Sequence, residues 1–181
     1  MRQPEMILLD TNVWVDSYLG ERPFHKNALS LMSNALDGGI TLLYAVTSVK
    51  DVYYQVAMAV KQEARRENQG SLSQADAMAA NAAASACVET MMDVATAVGL
   101  DASDVWLARK LQANHPDFED NFVIAAVMRS SADFLVTNDQ KLLLHSPVPT
   151  LNTADMAQHL RSCMESQQAI EAQATPCMQE G

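Results

Sequence analysis

Four stretches of the chain carry acidic side chains at places where a parallel sheet would gather them: Ile7-Leu8-Leu9-Asp10-Thr11-Asn12, Ser48-Val49-Lys50-Asp51, Asp117-Phe118-Glu119-Asp120 and Val136-Thr137-Asn138-Asp139. Carboxylates gathered from remote parts of a sequence repel one another and raise each other's pKa unless something positive sits among them. A divalent metal is the economical answer, and phosphodiester hydrolysis is an economical use of such a metal. Each stretch also has a plainer reading. Asp10-Thr11-Asn12 could be a strand-to-turn junction, Asp51 a first-turn acid favoured by a helix dipole, and Asn138-Asp139 a turn dipeptide. Among Asp117, Glu119 and Asp120, one is expected to serve only as a helix cap. The case for a site rests on all four stretches occurring together at strand and helix ends.

Those acids need a scaffold that delivers them to one place. Residues 6–10, 40–46 and 133–137 are short apolar or β-branched runs and read as buried strands, with Val148-Pro149-Thr150-Leu151 as a weak edge strand. Between them lie helical patterns. One runs from Pro23 to Gly38-Gly39, another begins after Thr47 or Ser48 as its cap and ends near Arg65-Arg66, and a long Ala- and Met-rich one covers 73–96. Further helices are expected over 104–114 and 119–130, and a last one capped by Thr153 reaches about residue 170. Short strands alternating with longer helices describe a single α/β domain, a three-layer sandwich around a mostly parallel sheet of four or five strands. In such sheets ligands bind beyond the carboxyl ends of the strands, where Asp10, Asp51, Asp120 and Asp139 would converge. The nuclease-like domain is expected over 1–160. Residues 161–181 would then hold the end of the last helix and a disordered tail from Ala172.

Composition narrows the classes. At 181 residues and 49% hydrophobic, the chain can bury one core, and no apolar run approaches the ~20 residues needed to span a bilayer. Met6-Ile7-Leu8-Leu9 runs at once into Asp10, which does not make a signal peptide, and Cys87, Cys163 and Cys177 read as reduced thiols of a cytoplasmic protein. His25, His115, His145 and His159 lack zinc-site spacing. The net charge of −10 argues against a protein that coats nucleic acid and for one that engages a small patch of it. Arg22 and Lys26, near the helix start after Asp10, and Lys50, beside Asp51, are the best-placed candidates for contact with nucleic-acid phosphates. Trp14, Tyr18, Tyr53 and Tyr54 could line a groove and stack on bases, or pack in the core.

Leu-Leu-Asp-Thr-Asn-Val near the N-terminus, Ser48-x-x-Asp51-x-Tyr53-Tyr54, Asp117-Phe118-Glu119-Asp120 and Leu135-Val136-Thr137-Asn138-Asp139 together resemble the PIN-domain family over about residues 5–155. These are metal-dependent ribonucleases that include VapC-like toxins of bacterial toxin–antitoxin pairs. The resemblance implies an endoribonuclease using Mg²⁺ or Mn²⁺ and leaving a 5′-phosphate and a 3′-hydroxyl. Its metal-binding and catalytic acids would be Asp10, Asp51, Asp120 and Asp139. Asp51 stands where the family more often has Glu. Asn12, Glu119, Thr137 and Asn138 match auxiliary positions that hold those acids or a water. RNA would be the substrate and a small antitoxin the partner, with homodimerisation through the Met- and Ala-rich helical surfaces also open. Two other readings remain: a non-catalytic PIN-like module that binds RNA or protein, and a phosphohydrolase with Asp10 as covalent nucleophile. Asn12, standing where a second acid is usual, disfavours the latter.

Overall fold

Every residue of strand β1 (Met6–Leu9) is apolar, and Ile7, Leu8 and Leu9 have no exposed surface, which places this strand at the centre of the sheet. The computed structural model describes residues 3–113 and 115–174. β1 pairs in parallel with β2 (Thr41–Ala45) on one side and β4 (Phe134–Val136) on the other. Outside these lie β3 (Thr96–Val98) and β5 (Thr150–Leu151), completing the order β3-β2-β1-β4-β5. All four pairings are parallel, so the sheet expected to be mostly parallel is wholly so. The chain builds outward from β1 to β3 in one direction and then restarts at β4 in the other. That reversal opens a crevice at the carboxyl ends of β1 and β4.

Alternation along β1 divides the core into two layers. Ile7 and Leu9 face a cluster with α1 (Thr11–Tyr18), α2 (His25–Asp37), α3 (Ser48–Glu67), α4 (Gln74–Val94) and α8 (Thr153–Ala174). Leu8 faces the opposite cluster, built largely on Val123, Ile124, Ala126 and Val127 of α6 (Phe118–Ser130), against which α5 (Ala102–Leu111) packs. The expected three-layer α/β sandwich is therefore present. α3 and α4 form a hairpin, joined by a turn in which Gly70 takes φ +93°. Ala80 and Ala84, one turn apart on α4, are fully buried, and their small side chains let the two helices approach closely. Among the described residues no helix is long and apolar enough to cross a membrane.

Several local expectations need correction. α1 follows β1 directly, β3 is a strand of three residues, and a short α7 (Gln140–His145) follows Asp139; none of these was anticipated. Thr47 sits at the N-cap of α3 with helical backbone angles and without a side-chain capping bond, and the neighbouring Ser48 hydroxyl accepts from Thr11 Oγ1 at 2.9 Å. The cap of α8 is Asn152, whose Oδ1 accepts from Asp155 N at 2.8 Å, while Thr153 is turned to Asn138. α8 continues through Ala174, so the first residues of the expected tail are helical. Residues 175–181, with Cys177, lie outside the described residues. Trp14 is fully buried and meets Tyr44 edge to face at 6.4 Å, which settles it as core.

Candidate active site

Asp10 leaves β1 and caps α1 in one step. Its backbone N–H extends the β4 ladder by donating to Val136 O at 3.0 Å, and its Oδ1 accepts from Thr11 N at 2.6 Å. Its other oxygen accepts from Asn12 Nδ2 at 2.5 Å and from Thr137 Oγ1 at 2.7 Å. The residue is only 5% exposed. Burial pushes its pKa up to about 6, and the charges of Asp120 and Asp139 add to the rise against the lowering bonds from Thr137 and Thr11. Thr137, wholly buried at the end of β4, is the hub of this arrangement. Besides donating to Asp10, its hydroxyl accepts from Asn12 Nδ2 at 2.9 Å and from Asp139 N at 3.0 Å.

Asp120 arrives from the other layer, in the first turn of α6. The cap there is Asp117, whose Oδ1 accepts from Glu119 N at 3.0 Å and Asp120 N at 3.4 Å. One of the three acids is thus a cap, as expected, and the Asp120 carboxylate is left for the cleft. Burial again leads in raising its pKa to about 6, followed by the like charge of Asp117 and, further down, Asp139 and Glu119. His115 opposes the rise, with Nε2 3.7 Å from Asp120 Oδ2. This buried histidine was not picked out from sequence, because a lone His ahead of Pro-Asp carries no recognisable spacing.

Asp139 caps α7, its Oδ1 accepting from Lys141 N at 2.8 Å and Leu142 N at 3.0 Å. Asp51 lies in the first turn of α3 and is 31% exposed, with Lys50 Nζ 3.3 Å from its Oδ1. Asp10, Asp51, Asp120 and Asp139 line one cleft of about 430 Å³, together with Asn12, Glu119, Lys50, Thr11, Ser48 and Gln55. Elements far apart in sequence therefore bring all four acids to one depression. Among the described residues no three His, Cys, Asp or Glu side chains already close around a point that could hold an ion. The acids that line the cleft offer oxygen donors alone.

Asn138 and Asp16 stand behind the cleft. Asn138 donates from its backbone to Asn12 Oδ1 at 3.1 Å and from Nδ2 to Asp16 Oδ2 at 2.9 Å, while its Oδ1 accepts from Thr153 N and Oγ1 at 3.2 and 2.8 Å. It ties α1 to the loop after β4 and to the start of α8. Asp16, only 1% exposed, also pairs with Arg22 Nε. Sequence gave no hint of Asp16, since an acid in a helix looks the same whether or not its face is covered. Arg22 is thereby drawn to Asp16, and neither it nor the exposed Lys26 lines the cleft. Lys50 is the one cation among the described residues that does.

Comparison with known proteins follows the same lines. A family model described as "PIN domain" matches residues 6–141. A solved structure of VapBC2 from Rickettsia felis, bound to a DNA fragment from their promoter, superposes with a TM-score of 0.55 at 14% identity, covering 81% of this chain and 98% of that one. A second, VapC20 from Mycobacterium tuberculosis, described as a sarcin-ricin loop cleaving toxin, gives a TM-score of 0.49 at 12% identity over 71% of this chain and 86% of that one. No curated protein matches the sequence.

Proposed function

This chain belongs to the PIN-domain family, and from that membership we propose that it is a divalent-metal-dependent endoribonuclease, the toxin of a toxin–antitoxin pair. The observation that carries the reading is the cleft in which Asp10, Asp51, Asp120 and Asp139 meet from separate elements with, among the described residues, no lysine or arginine paired to Asp10 or Asp120. Crowded, partly desolvated carboxylates of this kind are characteristic of sites that bind and act rather than of sites that hold a fold together. Oxygen-only donors suit Mg²⁺ or Mn²⁺. Such an ion supplies Lewis-acid polarisation of the scissile phosphodiester and a more acidic water.

The chain's own residues have separable roles. Asp10 and Asp120 are the principal donors, and Asp51 and Asp139 complete the ring. Thr137 and Asn12 hold Asp10 in a single orientation, so its ligating geometry is set before any ion arrives. Asn138 fixes Asn12 from behind. Glu119 sits on the rim as an auxiliary acid, and Lys50 neutralises part of the substrate's phosphate charge. Family membership is the ground for the toxin assignment, and with it for a small antitoxin partner.

The test is cleavage of structured and unstructured RNAs by purified protein in Mn²⁺, in Mg²⁺ and in EDTA. Cleavage with either ion, absent in EDTA and absent in Asp10→Asn, is expected. A native protein that binds RNA but never cuts it would leave a non-catalytic RNA-binding module in its place.

A further inference from the structure

The α3 helix presents two differently lined faces side by side. Asp51 and Gln55 open on the acidic cleft, whereas Val49, Tyr53 and Tyr54 line a second groove, of about 440 Å³, against Val88 and Glu89 of α4. Lys50 lines both. The two depressions are therefore neighbours that share Lys50, whose side chain is 65% exposed and whose ammonium group lies 3.3 Å from Asp51 Oδ1.

Tyr54 lies four residues after Lys50, on the same side of the helix. It is 63% exposed, although Tyr53 beside it packs against the core. The two rings meet edge to face at 5.5 Å and 84°, so the core-anchored ring sets the plane of the exposed one. Tyr54 thereby presents an aromatic face to solvent. With a net charge of −10 the chain has little electrostatic attraction for nucleic acid, so affinity for a strand must come from elsewhere. Stacking of bases on aromatic rings supplies it without demanding a sequence, and Lys50 stands where an adjoining phosphate would need a cation.

We propose that the α3–α4 groove is a base-stacking subsite for single-stranded RNA: a nucleotide flanking the scissile phosphate lays its base on Tyr54 and its phosphate against Lys50. This inference rests on the nuclease reading and names where that site grips its substrate. Tyr54 is a binding residue in it, remote from the reacting atoms.

The experiment measures binding of a fluorescein-labelled single-stranded oligoribonucleotide by anisotropy, in Mn²⁺, with the full chain carrying Asp10→Asn. Adding Tyr54→Leu, which keeps apolar bulk but removes the ring, weakens binding by about tenfold or more. Tyr54→Phe stays within about twofold, because the stacking face is intact. In the otherwise native protein, Tyr54→Leu raises KM and leaves kcat nearly unchanged, as expected for contact made equally in ground and transition states. Equal affinity and equal KM for native and Tyr54→Leu, with RNA cleavage intact, overturns the subsite and leaves the nuclease reading standing. A dimer by light scattering that reverts to monomer with Tyr54→Arg also overturns it, giving the groove to a second protein chain. If the native protein neither binds nor cuts RNA, both readings fall together.

Discussion

Asp120→Asn is expected to raise the melting temperature of the metal-free protein at pH 7.5, although it removes a carboxylate from the proposed metal site. The Asp120 carboxyl is lifted from 3.8 to about 6, first by burial and then by the charge of Asp117, with His115 giving partial relief. A rise of about two units, at about 1.4 kcal/mol each, gives an upper bound of about 3 kcal/mol held against folding well above pH 6, since the side chain is 26% exposed and water screens part of it. An amide in the same place still suffers part of the burial cost, which reduces the expected gain to about 1–2 kcal/mol. For a chain of this size that is about 3–6 °C in Tm. The sign can be followed through pH. Between 3.8 and 6 the folded parent holds a proton that the unfolded chain has released, so the parent loses stability as the pH rises through that window. Below 3.8 both states are protonated and the group's contribution is intact. The advantage of the variant is thus full above pH 6, about half at pH 5, and gone below the unfolded value. Thermal unfolding followed by circular dichroism in EDTA, variant beside parent at each pH, measures the gap. A variant that melts at or below its parent at pH 7.5, or a gap that does not narrow on acidification, refutes the reasoning.

Three other outcomes are expected. Saturating Mn²⁺ should raise the Tm of the native protein at pH 7.5 and do so much less at pH 5, where Asp10 and Asp120, both at about 6, have taken up protons; differential scanning fluorimetry showing equal gains at both pH values would rule this out. Thr137→Val keeps the side-chain shape but strands the Asp139 N–H, takes one of the two acceptors of Asn12 Nδ2 and removes a donor to Asp10, costing about 2–3 kcal/mol in urea denaturation; an unchanged midpoint would show that the buried hub contributes nothing. Arg129 bridges Asp101 at 2.6 Å and Asp104 at 2.7 Å and, by hydrogen bonding to them, lowers the pKa of Asp104 while Ser103 leads in lowering that of Asp101 to about 2. Arg129→Met should therefore melt lower near neutral pH, with the deficit shrinking as the pH falls from about 4 toward 2 and Asp101 protonates in the parent; a deficit that persists there would mean the arginine acts through packing instead.

What could be read from sequence follows from how each feature is encoded. β1, β2 and β4 are buried on both faces and appear as uninterrupted apolar runs, so their existence and the acids at their ends were visible. β3 was not, because Thr96 and Ala97 are exposed at a sheet edge and leave Val98 alone to signal a strand. α1 was missed for the opposite reason: Asp10 is both the last ladder residue and the helix cap, so no turn residues separate strand from helix. Neighbouring hydroxyls confuse cap assignment in the same way. Ser48 was a reasonable cap until Thr11, remote in sequence, took its oxygen. Asp16 is held by Arg22, His25 and Asn138, and His115 by Asn121 and Asp120 of α6, and no local pattern encodes meetings of that kind. The acids were legible as a set, but their supports were not.

The contrast between Asp10 and Asp16 bears on why the site is built as it is. Both are buried acids, six residues apart, and both belong to one hydrogen-bonded network through Asn12 and Asn138. Asp16 has a guanidinium partner in Arg22. Asp10 has only neutral donors, and its charged neighbours Asp120 and Asp139 are of its own sign. A fold selected for stability alone would send its nearest arginine to the acid that needs it most, since an uncompensated buried carboxylate is costly. Here the arginine instead fixes the helix that begins at Asp10, and Asp10 is left facing the cleft with its charge unmet. That conflict between local stability and arrangement is expected where a ligand completes the electrostatics. In the proposed function a divalent cation is that ligand, so removing it should leave the protein folded but strained at the same carboxylates whose neutralisation stabilises it.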